Sequence, residues 1–310
     1  MADDIENTIT KSLLADRRSD RRWRFIRTMI WAFIFLLYAY FIFGTHPAAD
    51  DESHNKPYVS LIRLNGAIMP GTGFSAHKVI PLLLHAFRDK KAKGVILEIN
   101  SPGGSPVQAS IIHDRIVQLK KQYNKKVVVV GEDTLASAAY LISSAADKIY
   151  VNPDTLTGSI GVIMNGFGFT DAIQKLGITR RVYSVGDFKD RLDPFLPSSD
   201  ADKQKIYSIL NAVHDNFIND VKVGRGNRLN GDPKELFSGD FWLGQEAVKL
   251  GLADGTSNLW DVMKDEFDVT HFKDFSAKPS LINSLLKGAE SIMHVHLSND
   301  LAPLKSELRY

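Results

Sequence analysis

The sequence predicts an α/β protein with a mostly parallel β-sheet, preceded by one N-terminal transmembrane helix. The first observation is that short apolar segments alternate with amphipathic segments from residue 58 onward. Such alternation is typical of parallel strands joined by helical crossovers. The second observation is an almost uninterrupted apolar run over residues 25–43. As a helix this run would be roughly 28 Å long, close to the thickness of the hydrocarbon core of a bilayer.

The bulk composition excludes several kinds of site. At 310 residues the chain is long enough for one large domain or two small ones. It contains no cysteine, which excludes a thiol nucleophile, disulfide bonds and cysteine-ligated zinc. The formal net charge is only +2 and the basic residues are locally concentrated, so we expect no nucleic-acid partner.

The N-terminal region is predicted to anchor the protein in the lipid bilayer. Residues 1–24 form the expected cytoplasmic segment, residues 25–44 the transmembrane helix and residues 45–57 a linker. A cleaved signal peptide and a buried core helix are the alternatives, but a signal peptide has a shorter apolar region. Basic residues precede the run and acidic residues follow it: Arg17, Arg18, Arg21, Arg22 and Arg24, then Asp50, Asp51 and Glu52. This asymmetry predicts a cytoplasmic N-terminus and a single pass through the inner (cytoplasmic) membrane.

Strands and helices alternate through a predicted domain at residues 58–265, which is followed by a C-terminal segment at residues 266–310. Strands are expected at residues 59–64, 94–99, 125–130, 148–151, 160–163 and 181–185. Helices are expected at residues 79–88, 107–122, 137–146, 170–176, 200–225 and 280–295, and from residue 246 to Gly251. The helix at residues 200–225 has apolar residues at helical spacing along its length, which predicts one face packed on the core.

Two stretches contain residues suited to chemistry beside a backbone. Ser137 begins a run of small residues, where an extended peptide has room to come close. A serine in such a helix is either a packing residue or a nucleophile surrounded by backbone N–H groups. The loop after the strand at residues 94–99 contains Gly103 and Gly104, whose N–H groups can bind an anion. Taken alone, a plain strand-to-helix turn is the simpler explanation of these glycines.

Lys189 follows a predicted strand and lies between Phe188 and Phe195. A lysine side chain acts as a general base only where burial favours the neutral amine, and the two aromatic rings are candidates to provide it. A surface lysine in a charged loop is the alternative interpretation.

Histidine, metal and cofactor sites lack support in the sequence. There is no G-x-S-x-G turn, no H-E-x-x-H motif and no phosphate-binding loop. His294 and His296 are two residues apart, which on a helix directs their side chains away from each other. We therefore expect neither a catalytic histidine triad nor a metal or cofactor.

Six segments in this order resemble the signal peptide peptidase A (SppA) family, serine protease family S49. They are residues 94–104 (GVILEINSPGG), Ala136-Ser137 with Tyr140, residues 146–149 (ADKI), residues 157–162 (TGSIGV), residues 187–189 with 193–195 (DFK and DPF), and residues 244–247 with 251–254 (GQEA and GLAD). The resemblance covers roughly residues 58–260, and six segments in order are much more specific than any one of them. It implies a ClpP/crotonase-like superhelix of ββα units.

The resemblance also implies a Ser/Lys catalytic dyad. In this family pattern Ser137 is the nucleophile, Lys189 is the general base and Ser159 orients the lysine amine. The backbone N–H groups of Gly104 and Ala138 form the oxyanion hole. The family members are membrane-anchored peptidases that degrade cleaved signal peptides and other apolar peptides through an acyl-enzyme. They form homo-oligomers with a concave catalytic chamber, and here the catalytic domain is expected to be periplasmic or otherwise extracytoplasmic.

The chain departs from the family pattern next to the nucleophile. Where the family has Ser-Gly-Gly-Tyr, this sequence has Ser137-Ala138-Ala139-Tyr140. The alanines keep their N–H groups, but their methyl groups narrow the space near the serine and bear on the substrate range.

Two other classes of function remain as alternatives. One is a catalytically silent scaffold of the same fold that binds hydrophobic peptides, and the presence of both Ser137 and Lys189 argues against it. The other is an acyl-CoA enzyme of the related crotonase fold, which an extracytoplasmic position would deprive of CoA.

Overall fold

The structure is a computed structural model that describes residues 23–38 and 56–277. The chain divides into two units, Met1–Lys56 and Pro57–Tyr310. In the first unit, residues 23–38 form helix α1 with exposed side chains. Within the described ranges, no helix combines the length and the apolar character needed to cross a membrane. The end of the predicted transmembrane helix and most of the predicted linker lie outside those ranges.

In the second unit, the described residues form eight strands and the helices α2 to α9. The strands are β1 (Tyr58–Asn65), β2 (Ala92–Ser101), β3 (Val127–Ala136), β4 (Lys148–Val151), β5 (Leu156–Gly158), β6 (Phe241–Leu243), β7 (Gly255–Thr256) and β8 (His271–Asp274). The helices are α2 (Ala76–Arg88), α3 (Pro106–Tyr123), α4 (Ala138–Ser144), α5 (Thr170–Lys175), α6 (Asp200–Arg225), α7 (Pro233–Leu236), α8 (Gly244–Lys249) and α9 (Leu259–Phe267). A short 3-10 turn, Gly226–Arg228, follows α6.

All eight strands belong to one sheet. Six of them lie side by side in the order β6-β5-β3-β2-β1-β8. Strand β4 lies beside the first half of β3, and β7 lies beside β4. The strand pairs are parallel except for β5 and β6, which are antiparallel. The predicted mostly parallel α/β sheet is therefore confirmed. Strand β2 is buried along almost its whole length, as expected where helices cover both faces of a parallel sheet.

The two faces of the sheet have separate apolar cores. Helices α2, α3 and α4 cover one face, where Leu97 and Val129 are fully buried. Helix α9 covers the other face, where Ile96 and Val128 pack in a cluster with Met263. Adjacent strand residues alternate between the two cores, and burial of each large apolar side chain contributes roughly 1.5–3 kcal/mol.

Local sequence signals explain the ends of the two longest helices. Helix α6 begins with a capping box, in which Ser199 and Asp202 each accept a hydrogen bond from the other's backbone N–H. Helix α3 begins after Ser105, whose side chain accepts the N–H of Gln108, and has Pro106 as its first residue. It ends at Asn124, which adopts the left-handed conformation with φ 47°.

The strands predicted at residues 160–163 and 181–185 are wrong. Neither stretch pairs with a strand in the structure, and residues 159–169 form no regular element. The strand of this region is instead β5, which ends where Gly158 and Ser159 take positive φ angles of 101° and 51° and turn the chain out of the sheet. Both predicted segments are apolar enough for a strand, but within the described part of the chain no strand lies beside either one to satisfy its backbone groups.

The sheet extends beyond the boundary expected at residue 265. That position lies inside α9, and β8 pairs with β1 at residues 271–274. Phe275 donates its N–H to the carbonyl of Leu61 at 2.8 Å, so the chain remains attached to the sheet just past β8. The helix predicted at residues 280–295 lies outside the described residues.

Candidate active site

A cavity of about 850 Å³ opens at the carboxyl ends of β2, β3 and β5. The carboxyl ends of parallel strands are where α/β proteins generally place ligand sites. Its walls include Pro102, Gly104, Val107, Ser110, Ile111, Ser137, Ala138, Leu141, Ser159, Gly161, Val162, Ile163, Met164, Ile209, Leu210, Val213, Asn216, Phe217 and Asp220. Four of the five predicted site residues, Ser137, Ser159, Gly104 and Ala138, therefore meet at one cavity.

Ser137 occupies a constrained turn between β3 and α4. Its backbone angles are φ 55° and ψ −126°. This conformation is strained for any residue other than glycine and therefore has a free-energy cost. Two hydrogen bonds hold it there: its N–H donates to the Gly158 carbonyl at 2.8 Å, and its own carbonyl accepts the N–H of Leu141 at 3.0 Å. A sharp strand-to-helix turn of this kind presents a serine hydroxyl to the space above the sheet.

The glycine loop after β2 fits closely against this turn. A Cβ on Gly103 would lie 2.7 Å from the Cβ of Ser137 and 2.9 Å from the backbone nitrogen of Ala138. A Cβ on Gly104 would lie 2.2 Å from the carbonyl oxygen of Ile68. Ile68 fixes the loop by donating its N–H to Gly103 at 2.9 Å and accepting the N–H of Ser105 at 2.7 Å. Only glycine fits at these two positions.

Two backbone N–H groups beside Ser137 lack an acceptor within the described part of the chain. They belong to Gly104, which is exposed at the cavity, and to Ala138, the first residue of α4. A pair of free donors flanking a serine hydroxyl is the arrangement that stabilises a developing oxyanion. The geometry is thus compatible with the roles predicted for Gly104 and Ala138.

Ser159 follows β5 as Ser137 follows β3. In the pairing of β3 with β5, Ala136 lies opposite Gly158. Ser137 and Ser159 are the residues that follow them, so the two serines leave adjacent strands side by side. Ser159 donates its N–H to the Asp240 carbonyl at 2.7 Å, and a Cβ on Gly158 would lie 2.7 Å from the ring of Trp242. Strand β6 therefore supports the turn that contains Ser159.

Helix α6 also contacts the turn that contains Ser159. The Nε2 atom of His214 lies 2.9 Å from the carbonyl oxygen of Ile160, and an N–H on Nε2 would donate to it. The apolar face predicted on this helix both packs in the core and lines the cavity. Val221 is buried in the core, Ile209 is exposed and lines the cavity, and Phe217 is buried and also lines the cavity. Sequence periodicity identified the apolar face but gave no signal that it borders a cavity.

Lys189 is the predicted site residue that the structure leaves away from the cavity. Its side chain is exposed, it is absent from the cavity walls, and it makes no side-chain hydrogen bond or ion pair with any described residue. The flanking Phe188 is also exposed and lies against the guanidinium of Arg191, 4.3 Å from its ring centroid, rather than covering the lysine. Arg191 in turn pairs with Asp202 at 2.6 Å.

Ala138 and Ala139 both adopt helical backbone angles. Neither is among the described residues with positive φ, so in this turn only Ser137 bears the backbone strain. Ala138 lines the cavity, whereas Ala139 is fully buried in the core. Tyr140 is also buried and donates its hydroxyl to the Leu252 carbonyl at 2.8 Å, and burial raises the pKa of that hydroxyl.

Several contacts of this site had no local signal in the sequence. Ile68, Asp240 and Trp242 support the two serine turns from distant parts of the chain, and His214 does so from α6. The segments that contain them carry ordinary strand, turn and helix patterns, so only the folded structure identifies them.

Comparisons with known proteins place the chain among peptidases. The family model described as Peptidase family S49 matches residues 119–268. The chain is 37% identical over 238 residues to a putative signal peptide peptidase SppA of Enterococcus faecium, covering 73% of this chain and 68% of that protein. It is 31% identical over 223 residues to a putative protease of Methanocaldococcus jannaschii, covering 72% of this chain and 70% of that protein.

A longer relative and a solved structure also match. The chain is 39% identical over 237 residues to a Na(+)/H(+) antiporter NhaA of Brucella melitensis, covering 74% of this chain. It spans only about a third of that protein, 32% of its length. The structure of a mutant membrane-bound stomatin-specific protease matches with a TM-score of 0.46 and 17% identity, over 73% of this chain and 99% of that one. Because the chain covers more than two thirds of the Enterococcus and Methanocaldococcus proteins, it belongs to peptidase family S49, a family of serine peptidases.

Proposed function

We propose that this protein is a membrane-anchored serine endopeptidase that degrades cleaved signal peptides through a Ser137/Lys189 dyad. The observation that carries the proposal is the turn at Ser137. There a serine with a positive φ angle lies at an apolar cavity beside the N–H groups of Gly104 and Ala138, which lack an acceptor among the described residues. The ClpP/crotonase-like superhelix is proposed as the particular form of the α/β fold.

The chemistry follows from these groups. The neutral amine of Lys189 takes the hydroxyl proton as the Ser137 oxygen attacks the peptide carbonyl. The N–H groups of Gly104 and Ala138 bind the resulting oxyanion. The lysine ammonium then gives its proton to the departing amine, which leaves an acyl-enzyme. Water activated by the same lysine hydrolyses the ester and restores Ser137, and Ser159 holds the lysine amine by a hydrogen bond during both steps.

Lys189 must reach the cavity for this mechanism, and we propose that a second copy of the chain delivers it. The segment around the lysine exposes many large apolar side chains: Ile163, Phe167, Leu176, Ile178, Tyr183, Val185, Phe188 and Leu192. Tyr183 and Val185 are 92% and 98% exposed, which is unusual for apolar residues in such a concentration. A homo-oligomer would bury this segment and bring the lysine of one copy to the serine of another.

The proposed substrates and location fit the apolar surfaces. The cavity is walled largely by aliphatic side chains, which favour the apolar residues of a signal peptide. The apolar run at residues 25–43 supports an anchor in the inner (cytoplasmic) membrane, with the catalytic domain outside the cytoplasm, where cleaved signal peptides remain in the bilayer.

A silent scaffold that binds hydrophobic peptides is the second candidate. The specific observation in its favour is the exposed position of Lys189, which leaves no lysine among the described residues that line the cavity. Both functions predict binding of apolar peptides, and only the peptidase predicts a reactive serine.

The test is labelling and cleavage by the full-length protein in detergent micelles. A fluorophosphonate probe should label the wild type, and the Ser137→Ala variant should not react. Ser137→Ala and Lys189→Ala should each abolish cleavage of an apolar peptide. Lys121→Ala, which removes an exposed lysine of α3, is the matched control and should retain activity. Cleavage that survives in the Lys189→Ala variant would exclude the dyad, and a wild type that neither labels nor cleaves would favour the scaffold.

A further inference from the structure

Asp220 is the only charged residue among the described residues that line the cavity. We propose that its carboxylate forms a subsite for a basic side chain, so that the peptidase prefers apolar peptides that carry a lysine or arginine at one position near the cleaved bond. This inference rests on the proposed peptidase function and specifies its substrate class. The remaining walls are apolar side chains, backbone and uncharged polar groups, so no cation of the cavity competes with the substrate.

Asp220 is the last residue of α6 that lines the cavity. The lining residues of α6 recur at helical spacing as Ile209, Leu210, Val213, Asn216, Phe217 and Asp220. His214, which contacts the turn of Ser159, is six residues before Asp220, about 9 Å along the helix axis. The carboxylate is therefore displaced along α6 from the turn where Ser159 would hold the catalytic lysine. That separation matters, because a carboxylate beside the lysine would favour its charged form and oppose its work as a base.

Asp220 has no partner in the described part of the chain. It forms no ion pair and no side-chain hydrogen bond there, although it is partly buried. Its neighbours one turn away on α6 are Asn216 and Gly224, neither of which is a cation. The closest cation in sequence, Lys222, lies over the ring of Phe237 at 5.3 Å. The carboxylate is thus available to a ligand.

The walls suit the rest of a lysine or arginine side chain. Both have an aliphatic stem that packs on apolar surface while the charged head reaches a polar partner. Ile111, Val213 and Phe217 line the same cavity and supply its apolar surface. When a bound peptide covers the cavity and excludes water, the carboxylate–cation attraction becomes stronger than it is at an open surface. A glutamate at the same substrate position would be repelled.

The test uses matched peptides and the full-length protein in detergent micelles. One apolar peptide is made as a series in which each position near the cleaved bond carries lysine, glutamine or glutamate in turn. At one position the wild type should cleave the lysine peptide about ten- to a hundredfold better than the glutamine peptide, as expected for a charge-assisted hydrogen bond. Asp220→Asn should reduce that ratio of kcat/KM to about one. Asp220→Lys should shift the preference to glutamate.

The control is Asp215→Asn, which removes an exposed carboxylate of the same helix that does not line the cavity. This variant should keep the wild-type lysine preference. Binding of the same peptides to the Ser137→Ala variant, with and without Asp220→Asn, measures the preference without catalysis. A preference in binding with no cleavage by the wild type would reject the peptidase and keep the subsite. Cleavage without a lysine preference, or a preference that survives in Asp220→Asn, would overturn the subsite alone.

Discussion

Ser137 and Ser159 directly follow two adjacent parallel strands, and both have positive φ angles, 55° and 51°. They are joined through one hydrogen bond, from the N–H of Ser137 to the carbonyl of Gly158, the residue before Ser159. Neighbouring strand ends thus direct two hydroxyl side chains to one cavity. This pairing holds the two serines side by side through the backbone, and among the described residues their side chains form no hydrogen bond with each other.

The first prediction concerns the glycine loop, in which a methyl group at Gly103 would collide with the turn of Ser137. Gly103 has φ 101°, and an added Cβ would lie 2.7 Å from the Cβ of Ser137. Gly103→Ala should lower kcat by about a hundredfold, since displacing a reacting group by about 1 Å costs that much. Peptide cleavage together with thermal unfolding would measure the effect.

Gly73→Ala is the matched control, since an added Cβ there meets no atom within 4 Å and the residue has no positive φ. It should leave both activity and stability close to wild type. A fully active Gly103→Ala variant would show that the loop does not position the nucleophile.

The proposed delivery of Lys189 by a second copy predicts complementation between two inactive variants. Ser137→Ala and Lys189→Ala, dissociated together and allowed to reassemble, should recover about a quarter of the wild-type activity. In a random mixture, that is the chance that a site combines an intact serine from one copy with an intact lysine from the next. Size-exclusion chromatography would verify reassembly. If both groups came from the same chain, the mixture would remain as inactive as its components.

An ion cluster on the α9 side of the sheet predicts a loss of stability in acid. Burial alone would raise the pKa of Glu266, but hydrogen bonds from Lys126, Lys148 and Tyr150 lower it from 4.5 to about 2. The unfolded chain therefore binds a proton at higher pH than the folded chain does. The contribution of Glu266 to stability is complete above about pH 4.5 and is lost as the pH falls towards 2.

Glu266→Gln should lower the free energy of unfolding at pH 7 by at most about 3 kcal/mol, less at high salt because both lysines are partly exposed. Near pH 2 the variant and the wild type should be equally stable. Urea denaturation at a series of pH values would measure both, with Asp265→Asn as the control for an exposed neighbouring carboxylate. A constant difference across the series would contradict this account.

Local signals in the sequence were sufficient for much of the fold. Helix α6 was predicted at residues 200–225, its observed bounds, because its apolar residues recur at helical spacing. The convergence of Ser137, Ser159 and Gly104 was implied by the family motifs, and the structure does bring them to one cavity.

Tertiary contacts and assembly account for what the sequence left out. A strand was predicted at residues 160–163 because those residues are apolar, yet whether they form a strand depends on a neighbour with free backbone groups, and none is present there. The supports Ile68 and Trp242 act through contacts between distant segments. In our proposal, a second chain brings Lys189 to the cavity. Local sequence patterns carry no information about such contacts between chains.

The two alanines after the nucleophile give the last prediction, because the structure separates their roles. The methyl group of Ala138 borders the cavity next to Ser137, whereas Ala139 is fully buried and does not line it. Ala138→Gly should therefore widen the space beside the cleaved bond and raise the ratio of kcat/KM for large over small residues there, by about tenfold. Ala139→Gly should cost about 1 kcal/mol of stability, the usual penalty for glycine in a helix, and leave that ratio unchanged. Cleavage of paired peptides and thermal unfolding of both variants would measure the two effects. An equal change of selectivity in both variants would mean that the helix as a whole, rather than the Ala138 methyl group, sets the width of the site.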